Sequence, residues 1–360
     1  MENSALSKTN KDTHIEIMRV LATFLVVVGH STFYSITTDV PDMGVSWNSF
    51  IFDSTEIGTV LALIVNIIYS CHMQFFMFIS GMVYQLSVQN GKYKELASFV
   101  KSKAARLLLP YALVSVLWNI PIYLWAGYFG ESNIIRNMIL YFIGLGKNHL
   151  WFLCALFLVY LATKVVEIIG GGYITLLLVS AGAFLCGKLV DGQWNHFMYL
   201  DRLSLYWIWF VIGMVVYNKK NSIHRVCDKF SPILMMLSFL LLWASAYWIL
   251  HNTKAAVLIA APGIGFLYFF CRWLDRYQKV VTSRFFKIVD SYSLEIYLYG
   301  APVNYILIET LIRVCGPNSE LSNAGSLLLF VTRVILQIVA SIVVAYLIGS
   351  FKKIWRTSND

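Results

Sequence analysis

The chain has 360 residues, of which 58% are hydrophobic and only 13% are charged, and its mean hydropathy is +0.67. Soluble domains carry roughly a quarter charged residues, so this composition excludes an ordinary soluble protein and indicates one built for a bilayer. The net charge of +9 does not indicate nucleic-acid binding, because cytoplasmic loops of membrane proteins favour Lys and Arg.

Ten apolar segments approach the length of about 20 residues that a membrane helix needs. We therefore predict an all-α, polytopic transmembrane helix bundle of about ten spans. Residues 15–351 would form its one membrane domain, with cytoplasmic tails at 1–14 and 352–360. The first segment lacks a small-residue cleavage site, so we expect a membrane helix there and not a signal peptide. The predicted spans lie near 15–35, 70–88, 107–127, 149–167, 173–190, 203–218, 232–250, 256–274, 290–312 and 325–350.

The basic residues predict the orientation of the bundle. Dense clusters at 101–106 and 272–287 fall on the same side as both termini, whereas the first loop on the other side, 39–56, is acidic. Both termini should therefore be cytoplasmic. Counting 61–69 or 137–143 as further spans would move basic loops outside, so we expect interfacial or re-entrant helices there.

Several kinds of catalytic site find no support in the sequence. The six cysteines are scattered without CxxC or His-flanked spacing, so no metal site is predicted. There is no Walker loop, GxSxG elbow, dinucleotide fingerprint or HExxH. Hydrolase, ATPase and zinc-enzyme functions are disfavoured.

The first predicted span carries two ionisable residues, which are costly inside a bilayer and therefore candidates for function. Arg19 and His30 are 11 residues apart, about 16 Å along one helix face. One helix would thus bind an anionic group near its cytoplasmic end, through Arg19, and place a proton-transferring group, His30, nearer its outer end. Acyl transfer from a phosphorylated thioester donor requires both. Alternatively, Arg19 forms an ion pair with Glu16 and His30 makes an interhelical hydrogen bond.

Motifs along nearly the whole chain resemble acyltransferase family 3, membrane enzymes that acylate cell-envelope glycans and some small molecules. In this sequence they are Ile15–Arg19 with Val28-Gly29-His30, Cys71–Gly81, the basic segment Phe99–Pro110, His149–Leu153 and Ser291–Leu298. Each motif is weak alone; together they are specific. The resemblance implies a multi-pass protein of the cell membrane (plasma or inner).

The resemblance also implies an activity. It is O-acyl transfer from cytosolic acyl-CoA, with acetyl the commonest acyl group, to a hydroxyl of an extracytoplasmic polysaccharide or other envelope glycan. Acyl-CoA would be a co-substrate, no cofactor would be bound, and other polysaccharide-biosynthesis proteins would be partners. His30 would be catalytic, either as general base or as acyl carrier.

Other candidates divide between donor and acceptor. Arg19, Lys103 and Arg106 would hold the donor, although the family usually has arginine where Lys103 stands and lysine cannot form the bidentate fork. Alternatively, Lys103 and Arg106 belong to an ordinary cluster of cytoplasmic basic residues and do not bind the donor. On the acceptor side we place His72, His149 and Trp151, the last of which is more typical of an interface anchor or core residue.

Two positions depart from the family pattern, and one ion pair is predicted between helices. Gln74 stands where the family often has proline, and Tyr299 where it often has histidine, so the roles of those residues do not carry over. Glu309 and Arg333 lie at similar outer depths of the last two spans. We predict that they form a buried ion pair between these helices.

Two other functions fit a bundle with buried charges. One is a permease or exporter of a lipid-linked or polysaccharide substrate, which predicts inverted repeats and helices broken near the midplane. No pair of spans is interrupted by Gly or Pro in matching positions, although Pro262-Gly263 and Pro302 are isolated candidates for such breaks. The other keeps the acyl transfer but places a small-molecule acceptor in the cytosol.

Overall fold

A computed structural model of the chain describes residues 12–32, 56–93, 95–130, 133–145, 148–189, 197–253, 255–316 and 321–357. Within these ranges the secondary structure is helical, without strands, so the predicted all-α class is confirmed. Most of the predicted N-terminal tail, the acidic loop before residue 56 and the last three residues lie outside the described residues.

The described part of the chain contains sixteen α-helices, numbered in chain order. A π-helical turn, Ser115–Asn119, joins α4 to α5, and a 3₁₀ turn, Ala256–Ile259, precedes α12. The helices are α1 Thr13–His30, α2 Glu56–Tyr69, α3 His72–Gln89, α4 Leu96–Val114, α5 Ile120–Trp125, α6 Ile134–Phe142, α7 Trp151–Ile168, α8 Tyr173–Leu189, α9 Leu200–Asn218, α10 Lys220–Phe230, α11 Pro232–Leu250, α12 Ala260–Leu274, α13 Gln278–Thr282, α14 Arg284–Ser291, α15 Ser293–Cys315 and α16 Asn323–Thr357.

Eight helical segments in the described part of the chain are long and apolar enough to cross a membrane. They contain α1, α2 with α3, α4 with α5, α7, α9, α11, α12 and α16. A multi-pass membrane protein is therefore confirmed. The other two predicted spans are also helices, but they are not both long and apolar enough to count as membrane spans. The apolar part of α8 is short, Tyr173–Gly187, and α15 carries three charged residues, Glu295, Glu309 and Arg313.

The two apolar stretches that we predicted to be interfacial or re-entrant form α2 and α6. α6 has nine residues and spans about 14 Å, less than half of a hydrocarbon core of about 30 Å. It cannot cross the membrane alone, which agrees with the prediction. α2 is followed by only two residues before α3 begins, and the two together form one apolar stretch, Glu56–Gln89.

Glycines allow the closest helix packing in the bundle, between α3 and α9. A Cβ atom at Gly81 would lie 1.9 Å from the carbonyl oxygen of Phe210, and one at Gly213 would lie 2.0 Å from that of Phe78. Any larger residue would push the two helices apart, as at other small-residue interfaces in membranes. This contact fixes α3, whose first residue belongs to the site described next.

α1 lies at the centre of the bundle. It packs against α3, α12 and α15, and its Met18 and Ala22 have no exposed surface. The helix that carries Arg19 and His30 is therefore surrounded by other helices along much of its length.

Candidate active site

Three of the candidate histidines lie together at one end of the bundle. α1 ends at His30, α3 begins at His72, and His149 lies two residues before α7. The rings of His30 and His149 are nearly perpendicular with centroids 6.3 Å apart, and His72 lies within electrostatic range of His30. The structure thus brings together the predicted catalytic residue and two predicted acceptor-side residues.

The backbone of His30 is held by α15 and α16. Its carbonyl oxygen accepts hydrogen bonds from Asn304 Nδ2 at 2.8 Å and from Arg333 Nη2 at 3.1 Å. Arg333 also donates from Nε to Asn304 Oδ1 at 2.8 Å, and its side chain is fully buried. A helix C-terminus carries partial negative charge and carbonyls without partners in the helix, so a buried guanidinium suits this position.

The preceding turn of α1 is capped by side chains as well. Gln337 donates to Val27 O at 3.2 Å and to Ser31 Oγ at 2.7 Å, while the Tyr69 hydroxyl donates to Gly29 O at 3.0 Å. A Cβ at Gly29 would lie 2.6 Å from the Tyr69 ring, so any larger residue here would displace that ring. Three helices therefore fix the last turn of α1 through its backbone.

The His30 ring faces the interior and not the lipid. It is half-buried against His149, and its imidazole makes no hydrogen bond to any residue that the structure describes. The site therefore fixes the main chain of His30 while leaving its ring nitrogens available for chemistry.

Carbonyl acceptors select the tautomers of the other two histidines. His72 Nδ1 lies 3.1 Å from Ile68 O, and His149 Nε2 lies 3.2 Å from Leu298 O. Because a carbonyl only accepts, these nitrogens carry the protons. His149 Nδ1 is then an acceptor, buried and without a partner among the described residues, and the main chain of His149 is held by Tyr297, whose hydroxyl donates to its carbonyl.

Arg19 lies toward the opposite end of α1 and pairs with Asp290 of α14. Arg19 Nε donates to Asp290 Oδ1 at 3.2 Å and Nη2 makes a second contact with the same atom. The Arg19 side chain is 42% exposed and the Asp290 side chain 10%. The described partner of Arg19 is therefore distant in sequence, in place of the local pair with Glu16 that we considered. An anionic ligand would meet a half-exposed guanidinium already balanced by a carboxylate.

Lys103 lies in an aromatic cage. Its Nζ is 3.8 Å from the centroid of the Tyr160 ring and 4.5 Å from that of Tyr93, and it donates to the Tyr93 hydroxyl at 2.9 Å. Phe99 closes a third side at 5.7 Å. Lys103 is 6% exposed, whereas Arg106 one turn later is exposed. Of these two donor-side candidates, Arg106 is the one open to a ligand.

The cage also changes the acidity of Tyr93, which lies in the loop before α4. Burial alone would raise the pKa of its hydroxyl, but the hydrogen bond from Lys103 and the charges of Lys103 and Arg106 outweigh burial and lower it. The Tyr93 hydroxyl and the aromatic faces offset part of the cost of burying the Lys103 charge.

Trp151 lies two residues after His149 in the sequence, but its side chain packs against α9. Its ring contacts Tyr206 at 5.1 Å between centroids, and the guanidinium carbon of Arg202 lies 5.2 Å above it. These contacts account for a partly buried tryptophan that packs α7 against α9, in line with the packing interpretation of this residue.

The predicted Glu309–Arg333 pair is wrong. Glu309 accepts from Arg313 Nε, one turn later in the same helix, at 2.7 Å, while Arg333 binds Asn304 and the His30 carbonyl. The difference arises because Arg333 faces the end of α1, whose carbonyls need donors. The correction adds Asn304 and Gln337 to the site, which we had missed although Arg333 and Gln337 share one helix face at i, i+4.

Comparison with known families matches residues 12–350 to the family described as an acyltransferase domain, acyltransferase family 3. Comparisons with curated proteins and with solved structures give no match. The family match covers nearly all of the chain, including every residue of the site described above.

Proposed function

The chain belongs to acyltransferase family 3 and is a multi-pass membrane acyltransferase; we propose that it moves an acyl group, acetyl in the first instance, from cytosolic acyl-CoA to a hydroxyl of an extracytoplasmic envelope glycan. One observation carries this proposal. His30 stands inside the bundle with its main chain fixed and its ring open, beside His149, whose Nδ1 has no partner among the residues that the structure describes.

The geometry supports direct transfer with His30 as general base. A ring nitrogen of His30 would take the proton of the acceptor hydroxyl as its oxygen attacks the thioester carbonyl carbon. The carbon–sulfur bond then breaks, and the CoA thiolate leaves and takes up the proton. His149 Nδ1, which has no partner among the described residues, would accept a hydrogen bond from the acceptor and orient it.

A second route uses His30 as carrier. A neutral ring nitrogen attacks the thioester carbon, CoA leaves as the thiol after taking the ring proton, and an acyl-imidazole remains. The acceptor hydroxyl then attacks that acyl carbon and returns its proton to the ring. Both routes need the ring nitrogens of His30 to be accessible, and accumulation of acyl-enzyme without acceptor distinguishes them.

The donor would be held toward the Arg19 end of α1. Arg106 offers an exposed guanidinium suited to bidentate binding of a phosphate. Arg19 adds a half-exposed one. Lys103 would attract the donor phosphates only through the longer-range effect of its positive charge, since its ammonium is enclosed by aromatic rings.

The test is transfer of labelled acetyl from acetyl-CoA into envelope glycans by membranes that contain the full chain. We expect label in glycan on the extracytoplasmic side. Label in a soluble cytosolic product would instead support a small-molecule acceptor. No transfer from any of a series of acyl-CoA donors, despite correct insertion, would reject the proposal in favour of a permease or exporter.

A further inference from the structure

A cavity of about 320 Å³ lies beside α1, where it is lined from Ile17 to Val27 and ends one turn before His30. Its walls are almost wholly apolar and come from α1 and α12 to α16. Leu21, Phe24 and Val27 of α1 face Phe286 and Val289 of α14 across it. A volume of this size is within the range of ligand sites, roughly 300–1,000 Å³.

The cavity opens sideways between α1, α13 and α14. Its rim carries three exposed apolar side chains, Phe24, Val280 and Phe285, with 45%, 42% and 68% of their surfaces exposed. Phe24 lies in the middle of a membrane helix, so the exposed surface at the opening faces hydrocarbon. The opening therefore suits a long apolar chain entering from the bilayer.

Cations flank the same opening. α14 is amphipathic: Phe286 and Val289 are buried beneath it, while its outer face forms a second hollow that includes Arg284 and Lys287. Tyr292 lies beside them. An apolar groove on one face of a helix and a basic hollow on the other match the two parts of an anionic lipid.

We propose that this site binds an anionic phospholipid of the bilayer, with one acyl chain in the cavity and its phosphate on Arg284 and Lys287. The acyl chain of the donor is a poorer occupant. Its thioester would have to reach His30, whose ring lies beside His149 and does not line the cavity. The proposal does not rest on acyl transfer, because lipid binding is measured without a donor.

The experiment is native mass spectrometry of the full chain from nanodiscs of equal parts phosphatidylglycerol and phosphatidylcholine. We expect one retained phosphatidylglycerol, favoured over phosphatidylcholine on the order of tenfold or more, as two surface cations predict. Leu21→Trp, which fills the cavity, should remove the adduct. Its control, Leu241→Trp on the exposed face of α11, should retain it.

The paired substitution Arg284→Gln and Lys287→Gln should abolish the preference for phosphatidylglycerol, whereas Arg225→Gln on α10 should not. Equal retention of both lipids by the unaltered chain would overturn the proposal. So would an adduct that survives Leu21→Trp, or one displaced by an equimolar long-chain acyl-CoA, since displacement would identify the cavity as a donor site.

Discussion

The two ends of α1 are held in opposite ways. At the His30 end, donors from α2, α15 and α16 bind the main chain and leave the ring open. At the Arg19 end, the side chain itself is bound, by Asp290. Under the proposed function, the group that reacts is thus fixed through its backbone, whereas the group that attracts the charge of the donor is balanced by a carboxylate until a ligand arrives.

This difference has an energetic basis. Holding a reacting group in place removes much of the entropy cost of the reaction, and the donors from α2, α15 and α16 supply that order without using the imidazole. The Arg19 pair is partly exposed, and such pairs contribute little to stability. Substitutions at the His30 end should therefore lower kcat, and those at the Arg19 end should change KM.

The largest effect is expected for Arg333→Met. Asn304 Oδ1 loses its donor and the His30 carbonyl loses one of two, which should cost about 2 kcal/mol in unfolding free energy and reduce kcat about 100-fold through misplacement of His30. Acetyl transfer and thermal unfolding in detergent would measure both. Arg225→Met, at an exposed arginine of α10, is the control and should change neither.

Gln337→Leu should have a smaller effect of the same kind. It removes the donor to Val27 O and Ser31 Oγ without removing a charge, so we expect kcat to fall about tenfold, or about 1.4 kcal/mol in activation free energy. The KM for acyl-CoA should stay constant in steady-state kinetics. A raised KM with constant kcat would mean that this cap serves the donor.

On the donor side, Arg106 is an exposed cation and Lys103 a buried one, so their substitutions should differ in their effect on stability. Arg106→Gln should raise the KM for acyl-CoA about fivefold, the range of one exposed charge contact, and leave stability unchanged. Lys103→Ala should also weaken donor binding, and in addition destabilise the fold by about 2 kcal/mol, because it empties an aromatic cage. Donor affinity that is unchanged in Lys103→Ala would refute its phosphate role.

The smallest and most diagnostic effect is expected for Asp290→Asn. Removing the carboxylate frees the charge of Arg19, so the KM for acyl-CoA should fall about twofold, as for one screened surface pair. For thioesters of dephospho-CoA, which carry less negative charge, the fall in KM should be smaller. A rise in KM would show instead that Asp290 positions Arg19 for binding.

Much of the fold could be predicted from the sequence, because a bilayer demands long apolar segments whose backbone groups are bonded internally. The ionisable residues within those segments also made His30 and Arg19 candidates for a site, and Arg333 a candidate for a buried ion pair. Their partners could not be predicted. Asn304 and Asp290 lie 274 and 271 residues from the groups on α1 that they bind, and local spacing favoured pairs such as Glu309 with Arg333 instead.

The central claim is that the imidazole of His30 performs the transfer and that His149 only orients the acceptor. It is tested most directly by measuring acetyl transfer in His30→Ala and His149→Ala at equal levels of inserted protein. We expect His30→Ala to lose at least about 100-fold, the contribution of a general base, and His149→Ala to keep measurable turnover with a raised acceptor KM. Activity that persists in His30→Ala and disappears in His149→Ala would contradict the account.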